Sequence, residues 1–249
     1  MQLQFPHFEL GWFYEKTIPL IKRNKFKSFF FYIIFLLYFS VPSFQIPVLE
    51  YNSFRVTSLM EQRAIENELL FYPQQSWVSV DDVTPNLLRA IIAMEDGSFF
   101  VHKGIDWKEL KTSIRVNKRR RRTARGGSTI TMQLAKNLYL TTEKSLLRKG
   151  KEFLIAVRME KELPKKAIIK NYINAVEWGD GIFGIKAASE EYFKKDPGEL
   201  TRSECSRLAA VIPSPLRYKP NTNSGYVLRR SSIIRGRMSD IILFPGKRL

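Results

Sequence analysis

Pro85-Asn86-Leu87-Leu88-Arg89-Ala90-Ile91-Ile92-Ala93-Met94-Glu95-Asp96-Gly97 decides the class of fold. Leu88, Ile91, Ile92 and Glu95 recur at helical spacing, with a proline suited to the first turn and a glycine suited to the end. The same period continues downstream. It predicts helices over Trp107 to Asn117, Thr129 to Leu140, Ser145 to Leu163, Lys165 to Val176, Gly184 to Tyr192 and Thr201 to Val211. Strand-like alternation is scarce and no internal repeat is visible, so residues 81–249 read as one all-α domain.

Upstream the character changes. Residues 50–80 are weakly periodic, with Tyr72, Pro73, Gln74 and Gln75 as turn material, and read as a stem. Before it, residues 29–49 form an uncharged apolar run long enough to cross a bilayer, which takes about 20 residues. Lys16, Lys22, Arg23, Lys25 and Lys27 precede it in a basic segment, residues 1–28. The positive-inside rule then predicts one retained transmembrane helix, with the N-terminus in the cytoplasm and the domain outside. A long n-region and the lack of an Ala-x-Ala-like site argue against a cleaved signal peptide. Pro42 and Pro47 mark the expected exit of the helix.

A chain of 249 residues with 44% hydrophobic content can bury one sizeable core. Its formal charge of +17 favours a polyanionic partner, whether nucleic acid, anionic lipid or a pyrophosphate. Cys205 is the sole cysteine, and His7 and His102 are the only histidines. An intrachain disulfide, a cysteine metal cluster and a multi-histidine metal site are thereby excluded, and no metal ligands are predicted. The tract Lys118 to Arg122 lacks interleaved aromatic residues for base stacking, which favours lipid headgroups over nucleic acid.

Three constellations can carry chemistry. Glu95 falls on the apolar face of its helix, so desolvation should raise its pKa toward that of a general base; by spacing alone an ion-paired carboxylate ending a helix is the favoured reading. Arg125-Gly126-Gly127-Ser128 precedes a helix on which Thr129, Gln133 and Lys136 share a polar face opposite Ile130, Leu134 and Leu138. Such a loop and helix start can hold an anion, and can equally be an ordinary amphipathic surface helix. Glu152 has Arg148 and Lys149 one turn before it, which fits cations oriented toward a phosphate and also plain surface ion pairs.

Together the pieces resemble the family 51 glycosyltransferases, the peptidoglycan polymerases. Glu95 to Gly104 fits E-D-x-x-F-x-x-H-x-G, and Arg125 to Gln133 is similar to R-G-G-S-T-I-T-Q-Q with Met132 departing. Arg148 to Glu152 fits R-K-x-x-E, Lys165 to Asn174 resembles K-x-x-I-L-E-x-Y-L-N, and Arg229 to Ile234 resembles R-R-x-x-V-L. The resemblance spans Val83 to Met238, and five motifs in order are specific. Asn174 to Gly184 is most similar to the monofunctional biosynthetic branch, and no serine is followed three residues later by lysine, as a transpeptidase would need.

The resemblance implies a lysozyme-like all-α fold with a groove facing the membrane, and a reaction that polymerises lipid II into β-1,4 glycan with inversion and release of undecaprenyl pyrophosphate. It implies that Glu95 is the general base, that Lys136 and Lys144 bind the pyrophosphate, that Glu152 supports those cations, and that Ser128, Thr129 and Gln133 line the donor site. Asp96, Phe99, His102, Arg125, Gly127, Arg148 and Lys149 complete the expected substrate-binding set. No cofactor is obligatory by this reading, although a divalent cation such as Mg²⁺ can assist; the partners are lipid II, the growing glycan, the membrane, and cell-wall synthesis or division proteins. Met132, Lys144 and Lys170 depart from the family's pattern, and the last two change charge or hydrogen-bonding geometry. Two other readings are a lytic glycosidase of the same fold and a membrane-tethered basic binding protein. Absence of a pyrophosphate in hydrolysis argues against the first.

Overall fold

A computed structural model describes residues 25–42, 44–51, 56–68, 76–120 and 126–245. The chain divides into two units, Met1–Val41 and Pro42–Leu249. The first contains helix α1 (Lys25–Phe39), whose sequence is apolar on every side after Lys27. Phe29, Phe30, Phe31, Phe35 and Phe39 are all exposed, the arrangement expected of a helix without a protein partner for its side chains. The helix is shorter than the apolar run that predicts it, and no helix among the described residues is long and apolar enough to cross a membrane. The end of that run behaves differently: Ile46 and Leu49 are buried in the second unit, around a 3₁₀ turn at Pro47–Glu50.

The second unit is helical, and its hydroxyl and acidic caps explain where the helices begin. Thr57 caps α2 (Ser58–Glu66), Thr84 with Pro85 starts α3 (Pro85–Glu95), and Asp106 accepts from Glu109 N to open α4 (Trp107–Arg120). Thr129 caps α5 (Ile130–Tyr139), Ser145 caps α6 (Leu146–Glu162), and α7 (Lys165–Ala175) follows Pro164. A short antiparallel hairpin, β1 (Glu177–Gly179) and β2 (Ile182–Phe183), leads into α8 (Ile185–Phe193). A capping box of Thr201 and Glu204 starts α9 (Arg202–Val211), and Ser224 caps α10 (Gly225–Arg237).

Helix α5 is the hub. It packs on α6, α7 and α2, while α3, α9 and α10 pack mutually into the other half of the core. Ile130, Thr131, Met132, Leu134, Ala135, Asn137 and Leu138 are buried, so α5 is covered on far more than the single apolar stripe the sequence predicts. Gln133 and Lys136 are left as its openings toward a groove.

Sequence and structure agree on six downstream helices to within a few residues at each end, and on a mainly helical domain. They differ upstream. Within the expected stem, α2 folds against α5, burying Leu59, Met60 and Ala64, and Ser58 Oγ donates to Leu138 O at 3.1 Å. Its helical period covers only nine residues, too few for pattern reading to separate from loop. The hairpin and α10 are likewise additions. The turn residues Tyr72 to Gln75 lie outside the described residues.

Candidate functional site

Glu95 ends α3, and its carboxylate meets α5. Gln133 Nε2 donates to Glu95 Oε2 at 2.6 Å, whereas Glu95 Oε1 is buried without a hydrogen-bond partner. Burial raises the Glu95 pKa, opposed by the Gln133 hydrogen bond and by the charges of Arg230 and Lys136, with Asp96 adding to the rise. The residue is therefore a desolvated acid with one oxygen held and one free, which is the state a proton acceptor needs.

Gln133 and Lys136, one turn apart, both line an open groove of about 290 Å³, together with Asn137, Arg63, Glu177 and the loop carrying Ser214 and Arg217. Burial lowers the Lys136 pKa, while Glu152 opposes that effect and Arg148 and Lys149 reinforce it. These three groups sit on α6. Glu152 is only 2% exposed and takes Arg148 Nη1 at 2.6 Å on one oxygen and Lys149 Nζ on the other. Lys149 Nζ also donates to Ser128 Oγ at 2.9 Å, joining the glycine-rich loop to the cation cluster. One buried carboxylate thus fixes two cations beside a third, and the groove is lined by Lys136 and by Gln133, the side chain that holds Glu95.

Several residues of the expected substrate-binding set make scaffold contacts. Phe99 is fully buried, with Lys165 Nζ 4.4 Å from its ring centroid, so its ring forms core and not groove wall. Asp96 is buried, accepts Ile130 N at 3.0 Å and pairs with His102 Nε2 at 2.9 Å, so the first motif caps the helix begun by the second. Thr129 is buried as the cap of α5 and donates to Gly104 O at 2.6 Å. Gly127 lies so close to α4 that a Cβ would stand 3.2 Å from Leu110 Cδ1, and Ser113 Oγ donates to Gly126 O. Lys144 is exposed on the loop before α6, and Arg125 lies outside the described residues. Met132, the departure in the second motif, is wholly buried at the third position of α5, where a glutamine would complete a capping box with Thr129.

Sequence reasoning passed over four side chains that complete the site. Tyr172 OH, fully buried, donates to Gln133 Oε1 at 2.9 Å. Arg230 contributes positive charge to Glu95, donates to Met94 Sδ at 3.3 Å and lies over the ring of Tyr226. Arg63 Nε reaches Glu177 Oε1 at 3.0 Å and its Nη2 reaches Oε2 at 3.1 Å, a two-pronged pair on the groove wall. Tyr172 and Arg230 lie inside the motif stretches Lys165 to Asn174 and Arg229 to Ile234, so position in a motif was the available signal. Among the described residues no group of three or more His, Cys, Asp and Glu converges on a common point.

A helical domain with a desolvated acid, a carboxylate-held cation cluster, and a groove lined by the amide that holds the acid and by Lys136 defines a candidate group-transfer enzyme. A profile of the transglycosylase family matches residues 62–239. The biosynthetic peptidoglycan transglycosylase of Thiobacillus denitrificans is 39% identical over 190 residues, covering 76% of this chain and 81% of that relative. Those of Chromobacterium violaceum, 41% over 170 residues (68% and 75%), and Paraburkholderia xenovorans, 39% over 197 residues (78% and 82%), are similarly related. The chain belongs to the transglycosylase family.

Proposed function

We propose that this chain polymerises the glycan strands of peptidoglycan, using lipid II as its substrate and releasing undecaprenyl pyrophosphate. The carrying observation is Glu95 Oε1, buried and unpartnered while its companion oxygen is held by Gln133. As general base, that oxygen takes the proton of the acceptor sugar's 4-hydroxyl as the hydroxyl attacks the donor's anomeric carbon. The bond from that carbon to the diphosphate oxygen breaks on the opposite face, so an α-linked donor gives a β-1,4 linkage. Negative charge developing on the diphosphate is offset by Lys136, Arg148 and Lys149, the last two preset by Glu152. Lys144, on the exposed loop, is assigned to the outer end of the same anion site and Ser128 to its floor, and Arg125 keeps the substrate-binding role its motif implies. The side chains supply the charge needed, and a divalent cation such as Mg²⁺ enters as an auxiliary to be varied in the assay.

We assign the chain to the cytoplasmic membrane, with the apolar run that α1 enters as its anchor and the domain on the outer side. Support comes from the aromatic side chains exposed all round α1 and from the lysines that precede and open it. The basic end of α4, Lys118 to Arg120, suits anionic headgroups, and cell-wall synthesis or division proteins are the expected recruiters. The test is strand growth from labelled lipid II by the wild type and Glu95→Gln, with finished glycan as a second substrate. Loss of growth by at least about a hundredfold in the variant supports the assignment. Undiminished growth overturns it, and shortening of finished glycan would instead support a lytic glycosidase.

A further inference from the structure

Between Glu95 and the core runs a chain of two hydrogen bonds. Tyr172 OH donates to Gln133 Oε1 at 2.9 Å, and Gln133 Nε2 donates to Glu95 Oε2 at 2.6 Å. A primary amide can present either its oxygen or its nitrogen to a neighbour, and the choice here is consequential. With nitrogen toward Glu95, the amide favours the ionised carboxylate. With oxygen toward Glu95, it repels that carboxylate and favours the protonated acid, which could donate to it. Tyr172 is fully buried on α7, and burial holds its pKa well above the ordinary phenol value, so it keeps its proton and remains a donor. A neutral phenol can also accept, so it is the observed pair of bonds, Tyr172 OH to Gln133 Oε1 and Gln133 Nε2 to Glu95 Oε2, that carries the first orientation.

We infer that Tyr172 is a positioning residue of the reaction: its hydroxyl fixes the Gln133 amide so that Glu95 is held ionised through Oε2 and accepts the substrate proton on Oε1. The inference rests on Glu95 being the base. Gln133 thereby acts on the acceptor half of the reaction, a role distinct from the donor-site lining that its motif implies. Other charges face Glu95 as well: Arg230 with Tyr226 from α10, Lys136 from α5 and Asp96 at the end of α3. They remain in place when only the Tyr172 hydroxyl is removed, so that change isolates the amide's orientation.

The experiment is the pH dependence of lipid II polymerisation by the full chain in detergent, for the wild type, Tyr172→Phe and Gln133→Leu. Tyr172→Phe keeps the buried ring, and a thermal melt beside each profile verifies folding. Both variants should move the acid limb of kcat/KM to higher pH by about one unit, the value of a hydrogen bond to a charged group. For Tyr172→Phe this is a loss of about tenfold below the limb, recovered at alkaline pH, with KM for lipid II unchanged. An unshifted limb in Tyr172→Phe, or an equal loss at every pH, overturns the inference. Full activity in Glu95→Gln would instead overturn the base assignment beneath it, so the two failures are told apart.

Discussion

Replacing Glu152 with alanine tests whether the cation cluster is preset by one buried carboxylate. Breaking a buried pair by removing one partner costs about 3–5 kcal/mol when a charge is stranded in the interior. Here the stranded groups are cations whose side chains are 16% and 33% exposed, for Arg148 and Lys149, against 3% for Glu152. Both can turn partly to solvent. Each also keeps a second acceptor, Glu143 O for Arg148 and Ser128 Oγ for Lys149. The expected cost therefore falls to about 2–3 kcal/mol, or about 5–10 °C in Tm for a domain of this size. Loss of preset charge at the leaving group should lower kcat by about 10²-fold, the scale for removing one preorganised donor. Glu152→Gln, which can still accept from one of the two cations, should fall between the variant and wild type in both measures. Urea unfolding and single-turnover strand growth read the two effects. A Glu152→Ala protein with wild-type kcat and an unchanged unfolding midpoint would refute the reasoning.

Because burial raises the Glu95 pKa, the ionised base is lost as pH falls through a value above the usual carboxylate range, so the acid limb of kcat/KM should lie above about pH 4.3, and Arg230→Gln should push it higher still by removing a favourable charge. The same sign governs stability: an acid whose folded pKa is raised destabilises the fold once ionised, so Glu95→Gln should melt higher than wild type at pH 8, with the advantage vanishing below about pH 4 in a thermal-shift series. Gly104→Ala should be severely destabilising, since φ is +86° and the new Cβ would sit 3.0 Å from Ala156 O; urea titration should give a loss of at least about 1–3 kcal/mol. Met132→Gln should leave KM for lipid II unchanged and alter stability by less than about 1 kcal/mol, because the gain of a capping box offsets the loss of buried thioether.

What the sequence discloses follows from where each residue's information is local. Ser145 and Thr201 announce their helices because a cap acts within three residues, whereas of the two adjacent hydroxyls before α5, Ser128, the sequence's candidate cap, yields that role to Thr129; Glu95 declares its burial because the apolar residues around it lie on its own helix. Phe99 and Asp96 could not be placed in the same way. Their partners, Lys165 for the one and Ile130 N and His102 for the other, are brought in by tertiary packing, so the bracing contacts are not legible from the motif. Tyr172 was hidden for the same reason, 39 residues from the amide it orients.

The bracing residues and the reacting residues are therefore not alternatives drawn from one motif; they are successive links of a single support. Asp96 fixes the start of α5 through Ile130 N, α5 presents Gln133 and Lys136 one turn apart, and Gln133 returns to Glu95, the neighbour of Asp96 in sequence. The loop closes on itself, so the distance between the acid and the lysine is set by a helical turn and two hydrogen bonds, not by flexible side chains alone. The segment before α3 extends the same logic to the groove's far wall. Arg63 on α2 grips Glu177, and Gln62 holds both the backbone N and the hydroxyl of Thr142, in the loop that leads to Lys144, Arg148 and Lys149. A segment whose sequence reads as a spacer thus sets the position of the cation-bearing loop relative to α5, which makes α2 part of the site's framework.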